Sequence, residues 1–527
     1  IFSLLIFNMI KFFISLFLIF ITNISYTKEI NVLTDEQVEN FLPKYLDLNN
    51  LWYGIYVTDG KDFHQKIGYW NVSHEIINSE NYPKFKNQVS KKYLTKNKNL
   101  ILEKSSMNIK IFVGEKSEIS EISTELIFQK FPPYNLLYER FNDGSLITES
   151  FREDNNMKVE LYDGINVETK ILKNFRYSLN DYLNTFVFTL DNYSKVGTKI
   201  NSNLFSEGKI SIQEYTLSNK VTKMIQGVNY NYYILDIITY EDDSEIFTQT
   251  FVDSKNLLPI SINMPDYQIE IRLEDKKTAI DFGIQQDLYV LSSIPLDRDY
   301  ISLILSENKF VENIFLEIQG DYQDNFPNSF QQEVINKGNK NYLVISNFYS
   351  DSKYGIYEYV SEGEINDNLN KKDFDPIDDP DIIKIARKET AGIENNYDKV
   401  VKLLKFVSDY IEDSYSIKTA ETVYEIIDSK VGDCTEHAFL FNVLARSIGI
   451  PSRIVNGFAY DPVTKSYVGH TWNEVVIDNY WLAVDPTWNE VSVFGHIKQN
   501  DDKFNFINNL KFKLSKIEFT NGEELIF

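Results

Sequence analysis

Between residues 266 and 275 the chain reads DYQIEIRLED, where the apolar side chains of Tyr267, Ile269, Ile271 and Leu273 alternate with Gln268, Glu270, Arg272 and Glu274. A strand turns successive side chains to opposite faces, so a period-two pattern of this kind buries one face of an antiparallel sheet and leaves the other wet. The same rhythm recurs in LWYGIYV, KIGYWNVSHEI, SSMNIKIFV, SEISTELIF, GKISIQEYTL, NYYILDIITY and EIFTQTFVD. Turn-forming residues such as Val113-Gly114-Glu115 and Asp143-Gly144-Ser145 separate these runs. Residues 45–295 therefore read as a β-rich domain, a large curled antiparallel sheet with room for a helix or two on its concave side. His64 and His74 fall on strand-like segments, where a structural role is the expectation.

Residues 296–365, with YISLILS, NIFLEIQG and NYLVISNFY, read as a second, smaller β domain. NDNLNKKDFDPIDDPD follows, with the charge, Asn and Pro content of a solvated linker. It lacks the Gly and distal Glu of a calcium-binding loop. Beyond it the period changes to helical: Val400, Leu403, Leu404, Val407 and Ile411 share one stripe, and ETVYEIIDS suggests another short helix. Residues 366–500 are thus a mixed α+β domain, helical first and stranded later, and 501–527 a C-terminal β extension.

At the other end, Met9 is the first Met, Lys11 gives a positive start, Phe12 to Ile21 are apolar except for Ser15, and Ser25 and Thr27 mark a cleavage zone. This is the layout of a secretory signal peptide over residues 1–27, and the apolar run is shorter than the ~20 residues of a membrane anchor. The expectation is a mature, extracytoplasmic chain starting between Tyr26 and Glu29, with no stable membrane insertion. The 53 basic and 77 acidic side chains leave a formal charge of -24, which repels phosphate backbones and argues against nucleic acid as a partner.

Export makes the single cysteine among 527 residues informative, since an unpaired thiol outside the cytoplasm is either a buried small hydrophobe or a reagent. Its setting is VGDCTEHAFLFNVLARSIGIPSR. Asp433 is a good N-cap and Glu436 completes a capping box, so a helix begins at Cys434 and ends at Gly449 and Pro451. Ala438, Phe441, Ala445 and Ile448 form its buried stripe. In the first turn the unpaired N–H groups and the helix dipole favour a thiolate, which can bring a thiol pKa from ~8.5 into the ~3.5–7.5 range. Asp433, if ionised, opposes this.

Downstream, SRIVNGFAY, SYVGHTWNEVVID and YWLAVDPTW read as successive strands that deliver His470 and Asp485. A thiolate nucleophile needs an imidazole to exchange its proton, and the imidazole needs an acceptor on its second nitrogen. Cys434, His470 and Asp485 supply these roles in that order. GDCTEHAFLFNVLARSIGIPSRIVNGFAY, GHTWNEV and WLAVDPTWN together resemble the bacterial transglutaminase-like superfamily. The resemblance spans roughly residues 380–500 and implies a papain-like α+β fold with Cys434 as nucleophile, His470 as base and Asp485 as orienter. It also implies a protein or peptide amide as substrate and no cofactor. The family spans cross-linking acyltransferases, amidases, peptidases and inactive members, so a catalytically silent module that binds an envelope protein or peptide is the alternative.

Four further residues are candidates for support or substrate contact. His437 lies one helical turn after Cys434, where packing or a hydrogen bond is the usual role and direct catalysis the alternative. Trp472 and Glu474 share the strand face of His470, and Trp488 is a candidate cleft wall. The backbone N–H of Cys434 is a natural oxyanion donor. A zinc site from Cys434, His437, His470 and His496 matches no metal spacing, so no metal is expected.

Overall fold

The computed structural model describes residues 32–527 except 61–62, 79–88, 90–98, 114–115, 145, 163–166, 185–194, 226–227, 242–243, 256–257, 284, 286–287, 299–310, 321–325, 330, 347–359, 371–374, 414–421, 462–463, 492–494 and 500–508. The signal-like segment and YISLILS lie outside the described residues. Two compact units divide the chain, one from Phe7 to Gln286 and the other mainly from Asp287 to Phe527. Among the described residues no helix is long and apolar enough to cross a membrane.

The first unit is built on a 14-stranded antiparallel sheet. Eight strands from Leu51–Thr58 to Val167–Leu172 follow one another as a meander, and six from Lys199–Ser206 to Ile269–Glu274 form a second. The first and last strands join the halves, with Ile55 opposite Ile271. The alternation read from Tyr267 begins later: Pro265–Tyr267 is a single 3₁₀ turn, and Gln268 adopts a left-handed conformation before the strand starts at Ile269. Ile269 and Ile271 are buried as the period demands.

The sheet curls because both halves share one core. Met157 and Val159 from one meander cluster with Ile200, Phe205 and Tyr215 from the other and with Val38, Phe41 and Tyr45 of the helix Asp35–Asp47. That helix opens on a capping box in which Thr34 and Gln37 satisfy each other's backbone N–H groups. Across the curl, Glu139 accepts the backbone N–H groups of Glu207 and Gly208 at 3.0 Å each.

In the second unit the helices Pro380–Glu389, Asn396–Tyr410, Val423–Ser429 and Cys434–Ser447 pack with the strands Ser466–Ile477 and Tyr480–Asp485 around one core. Val400, Leu403, Leu404, Val407 and Ile411 are all buried there. These strands belong to a six-stranded sheet that also contains Ser452–Asp461 and His496–Lys498. A separate five-stranded sheet joins Val311–Gln319 to Lys511–Phe519, with Ile314 opposite Ile517. The small β segment and the C-terminal extension thus complete one sheet. Part of the expected linker is packed as well: Asp375 is buried against the Arg446 guanidinium near the end of the Cys434 helix. Composition marks Asp375 as solvated because its partner lies far along the chain.

Candidate active site

The Cys434–Ser447 helix is closed at its start by its own side chains. Asp433 accepts the Thr435 N–H at 2.7 Å, and Glu436 accepts the Asp433 N–H at 2.8 Å. Gly432 makes this box possible, since a Cβ there would lie 2.4 Å from Glu436 Cβ. Burial and the neighbouring Asp433 push the Glu436 carboxyl up to about 8. Glu436 therefore holds a proton to higher pH than an ordinary carboxyl, which limits the negative charge at the helix start. His437, fully packed, uses its Nδ1 on the Asp433 carbonyl at 2.6 Å, a hydrogen bond that steadies the same turn.

Cys434 is partly accessible in this first turn. The strand Ser466–Ile477 pairs with Ser452–Asp461, and Asn473 on it donates to the Ala438 carbonyl at 3.0 Å, which ties the strand to the helix. His470, two residues from buried Trp472, hydrogen-bonds the Cys434 thiol. Its Nε2 is bonded to Asp485 Oδ2 at 2.7 Å, so Nδ1 is the nitrogen left for the sulfur. Asp485 is fully buried at the end of Tyr480–Asp485. Its Oδ1 accepts the N–H groups of Thr487 at 2.8 Å and Trp488 at 3.3 Å.

Sequence reasoning did not see that Asp485 Oδ2 also accepts from His496 Nε2, at 2.8 Å. His496 reaches it because the strand His496–Lys498 pairs with Ser452–Asp461, where Gly457 faces both His470 and Lys498. A Cβ on Gly457 would sit 2.0 Å from the Ile497 carbonyl oxygen and 2.8 Å from the Trp472 ring. The ligand atoms of His470, Asp485 and His496 lie within 4.8 Å of one another, a set that could hold a cation only by giving up the hydrogen bonds just described. Cys434 and His437 are not in that set.

Burial lowers the affinity of His470 for its proton, but the Asp485 carboxylate and then the Cys434 thiolate outweigh it and raise the pKa to about 10. For His496 burial wins and brings the pKa to about 4. Burial would raise the Asp485 pKa, yet the two imidazoles hold it well below the usual carboxylate range. At Cys434 burial pushes the thiol pKa up and Asp433 adds to this, whereas His470 pulls it down. The arrangement sets an imidazole with a raised pKa between a thiol and a buried carboxylate, with a second histidine of lowered pKa behind.

The aromatic candidates differ in position. Trp488 stacks on the His470 ring at 4.4 Å between centroids and 13° between planes, and the residue is 43% exposed, so it can cover the imidazole and face solvent. Trp472 lies farther away, at 6.3 Å. Glu474 is buried in an ion triad, 2.6 Å from Arg453 and 3.0 Å from Lys498; burial raises its pKa, but the two cations more than offset this. It fastens the His496 strand rather than facing the thiol.

A helix-borne thiol thus lies beside a strand-borne imidazole and carboxylate in an α+β core. Residues 383–486 match the transglutaminase-like superfamily, so the C-terminal part of the chain holds a transglutaminase-like core. Among curated proteins none matches. Among solved structures, a candidate cysteine protease from Cytophaga hutchinsonii is 17% identical, with 41% of this chain and 86% of that one covered and a TM-score of 0.25. The periplasmic domain of TgpA from Pseudomonas aeruginosa is 16% identical, with 35% and 83% covered and a TM-score of 0.23. A β-barrel-like protein of a domain of unknown function from Brucella abortus is 9% identical, with 43% and 99% covered and a TM-score of 0.26.

Proposed function

We propose that the chain is an extracytoplasmic cysteine-dependent acyltransferase or amide hydrolase acting on a protein or peptide amide. The observation that carries this reading is the hydrogen-bonded series from the Cys434 thiol through His470 to buried Asp485. In the first step the Cys434 thiolate attacks the amide carbonyl carbon, and the carbonyl electron pair moves to oxygen. The Cys434 backbone N–H, in the first turn of its helix, stabilises that oxyanion. As the C–N bond breaks, His470 passes its proton to the leaving nitrogen, and a thioester forms. An amine or a water then attacks the thioester carbon, His470 takes up its proton, and the S–C bond breaks to restore the thiolate. An amine gives a cross-link; water gives hydrolysis. Asp485 holds the His470 tautomer and its charge throughout.

The test is intact-mass spectrometry of the full chain after rapid acid quench with glutamine-bearing peptides. The expected result is an acyl adduct on Cys434, equal to peptide minus ammonia or minus an amine fragment, released by hydroxylamine and absent in Cys434→Ala. A chain whose Cys434 alkylates readily but forms no adduct with any peptide offered is instead a silent binding module.

A further inference from the structure

We propose that the Cys434 cleft selects a substrate with a positively charged group on the nitrogen side of its amide, and that Glu490 and Trp488 are the residues that read it. This rests on the acyl-transfer reading above. His470 gives its proton to the leaving nitrogen and takes one from the incoming nucleophile, so exposed groups beside His470 meet that half of the substrate.

Two exposed side chains lie there. The chain turns back after Asp485 and places Glu490 directly opposite it across the strand pair. Opposed residues turn their side chains to the same face, so Glu490 shares the face on which Asp485 reaches His470. Its carboxyl feels both: partial burial and then Asp485 raise its pKa, and His470 lowers it. The residue is nonetheless exposed and makes no hydrogen bond or ion pair with a described residue. Like charges directly opposed across strands are destabilising, so nothing in the sheet itself calls for an acid at this position. Trp488, within the same turn, lies over the His470 ring and is also exposed. A carboxylate beside an exposed aromatic ring is a setting that holds an ammonium or guanidinium group. The rest of the cleft agrees in sign. Asp433 sets a further carboxyl by Cys434, while Arg453 and Lys498 are both bonded to buried Glu474. The His470 proton opposes a cation, and the Asp485 carboxylate offsets it.

Because Cys434 is the only cysteine, thiol reagents of different charge report on this cleft alone. Methyl, 2-sulfonatoethyl and 2-(trimethylammonio)ethyl methanethiosulfonate each transfer their thioalkyl group to the thiolate and release methanesulfinate. At pH 8 and low salt, the cation-to-anion rate ratio at Cys434 in the full chain should exceed that of a simple thiol by about tenfold. Glu490→Gln should lower this ratio about threefold or more, with circular dichroism unchanged. It removes one of 77 acidic side chains, so an effect of that size is local. Glu490→Asp should keep most of the preference, and Trp488→Leu should lower the cationic rate relative to the neutral one about twofold. Peptide amides whose nitrogen carries an aminopentyl, pentyl or carboxypentyl group should form the Cys434 adduct in that order of rate. Adduct formation from none of them, with the reagent preference intact, overturns the acyl-transfer reading and leaves a cation-selective cleft. A reagent ratio equal to that of a simple thiol, or unchanged by Glu490→Gln, overturns the proposal whether or not the amides react.

Discussion

His470 and His496 donate to the same oxygen of Asp485, at 2.7 and 2.8 Å, yet their pKa values are moved in opposite directions, to about 10 and about 4. One buried carboxylate can balance one imidazolium, and His470, which also faces the Cys434 thiolate, takes that place. His496 is left as a neutral donor that fixes the direction of Asp485. Removing it strips a hydrogen bond from a fully buried carboxylate, a loss of about 1–3 kcal/mol. His496→Ala should therefore lower the thermal unfolding midpoint, and His496→Gln, whose amide can still donate, should recover part of the loss. Equal midpoints for all three proteins would show that Asp485 does not depend on His496.

A second prediction concerns Glu436, whose carboxyl is pushed up to about 8 by burial and by Asp433. The unfolded carboxyl titrates near ~4.3, so between there and about 8 the folded chain binds the extra proton and stability falls as pH rises. Gln at this position keeps the acceptor for the Asp433 N–H and has no proton to lose. Glu436→Gln should flatten that part of the stability profile and be the more stable protein at pH 9, as measured by urea unfolding at several pH values. A parallel profile for the two proteins would mean that the Glu436 carboxyl titrates normally.

Gly457 separates the strand of His470 from that of His496. Because a Cβ would meet the backbone oxygen of Ile497 at 2.0 Å, Gly457→Ala must push the two strands apart. Overpacking of this kind costs about 1–3 kcal/mol, and the His496 bond to Asp485 should be lost with it. Urea unfolding reads the first effect. The second is read by adding His496→Ala, which should cost less in the Gly457→Ala background than alone, whereas independent, additive losses would contradict the coupling.

What the sequence disclosed and what it hid divide along the reach of each interaction. Strands such as Leu51–Thr58 and Ile269–Glu274 are legible because a half-buried antiparallel strand prints its period into neighbouring residues. Their pairing, with Ile55 opposite Ile271, leaves no local trace, and neither does that of Ile314 with Ile517. The Cys434 helix start is legible because Asp433 and Glu436 act within one turn. The His496 contact with Asp485 is not, because it exists only once Gly457 lets a third strand lie beside Ser452–Asp461. Asp375 misleads for the same reason: its partner Arg446 is distant in sequence.

The last prediction separates a reagent from a buried small hydrophobe at Cys434. His470 is raised from its ordinary 6.5 to about 10, above burial's opposing effect, by Asp485 and the thiolate. Its stabilising contribution is then fully present below ~6.5 and is lost as pH rises toward about 10. In the same range the imidazolium holds the thiolate, so iodoacetamide should alkylate Cys434 near pH 6 faster than it alkylates a simple thiol. His470→Ala should slow alkylation at pH 6 by about tenfold or more, since a thiol near ~8.5 has little thiolate there. Asp485→Asn should change alkylation less but reduce turnover strongly, because it leaves the thiol in place and fails to hold the imidazole in its charged, oriented form. A low-pKa thiolate is a weaker nucleophile and Trp488 covers part of the imidazole, so the pH dependence is the decisive readout rather than one rate. If Cys434 titrates as a free thiol, with a profile unchanged by His470→Ala, the ion pair does not form and the catalytic reading falls.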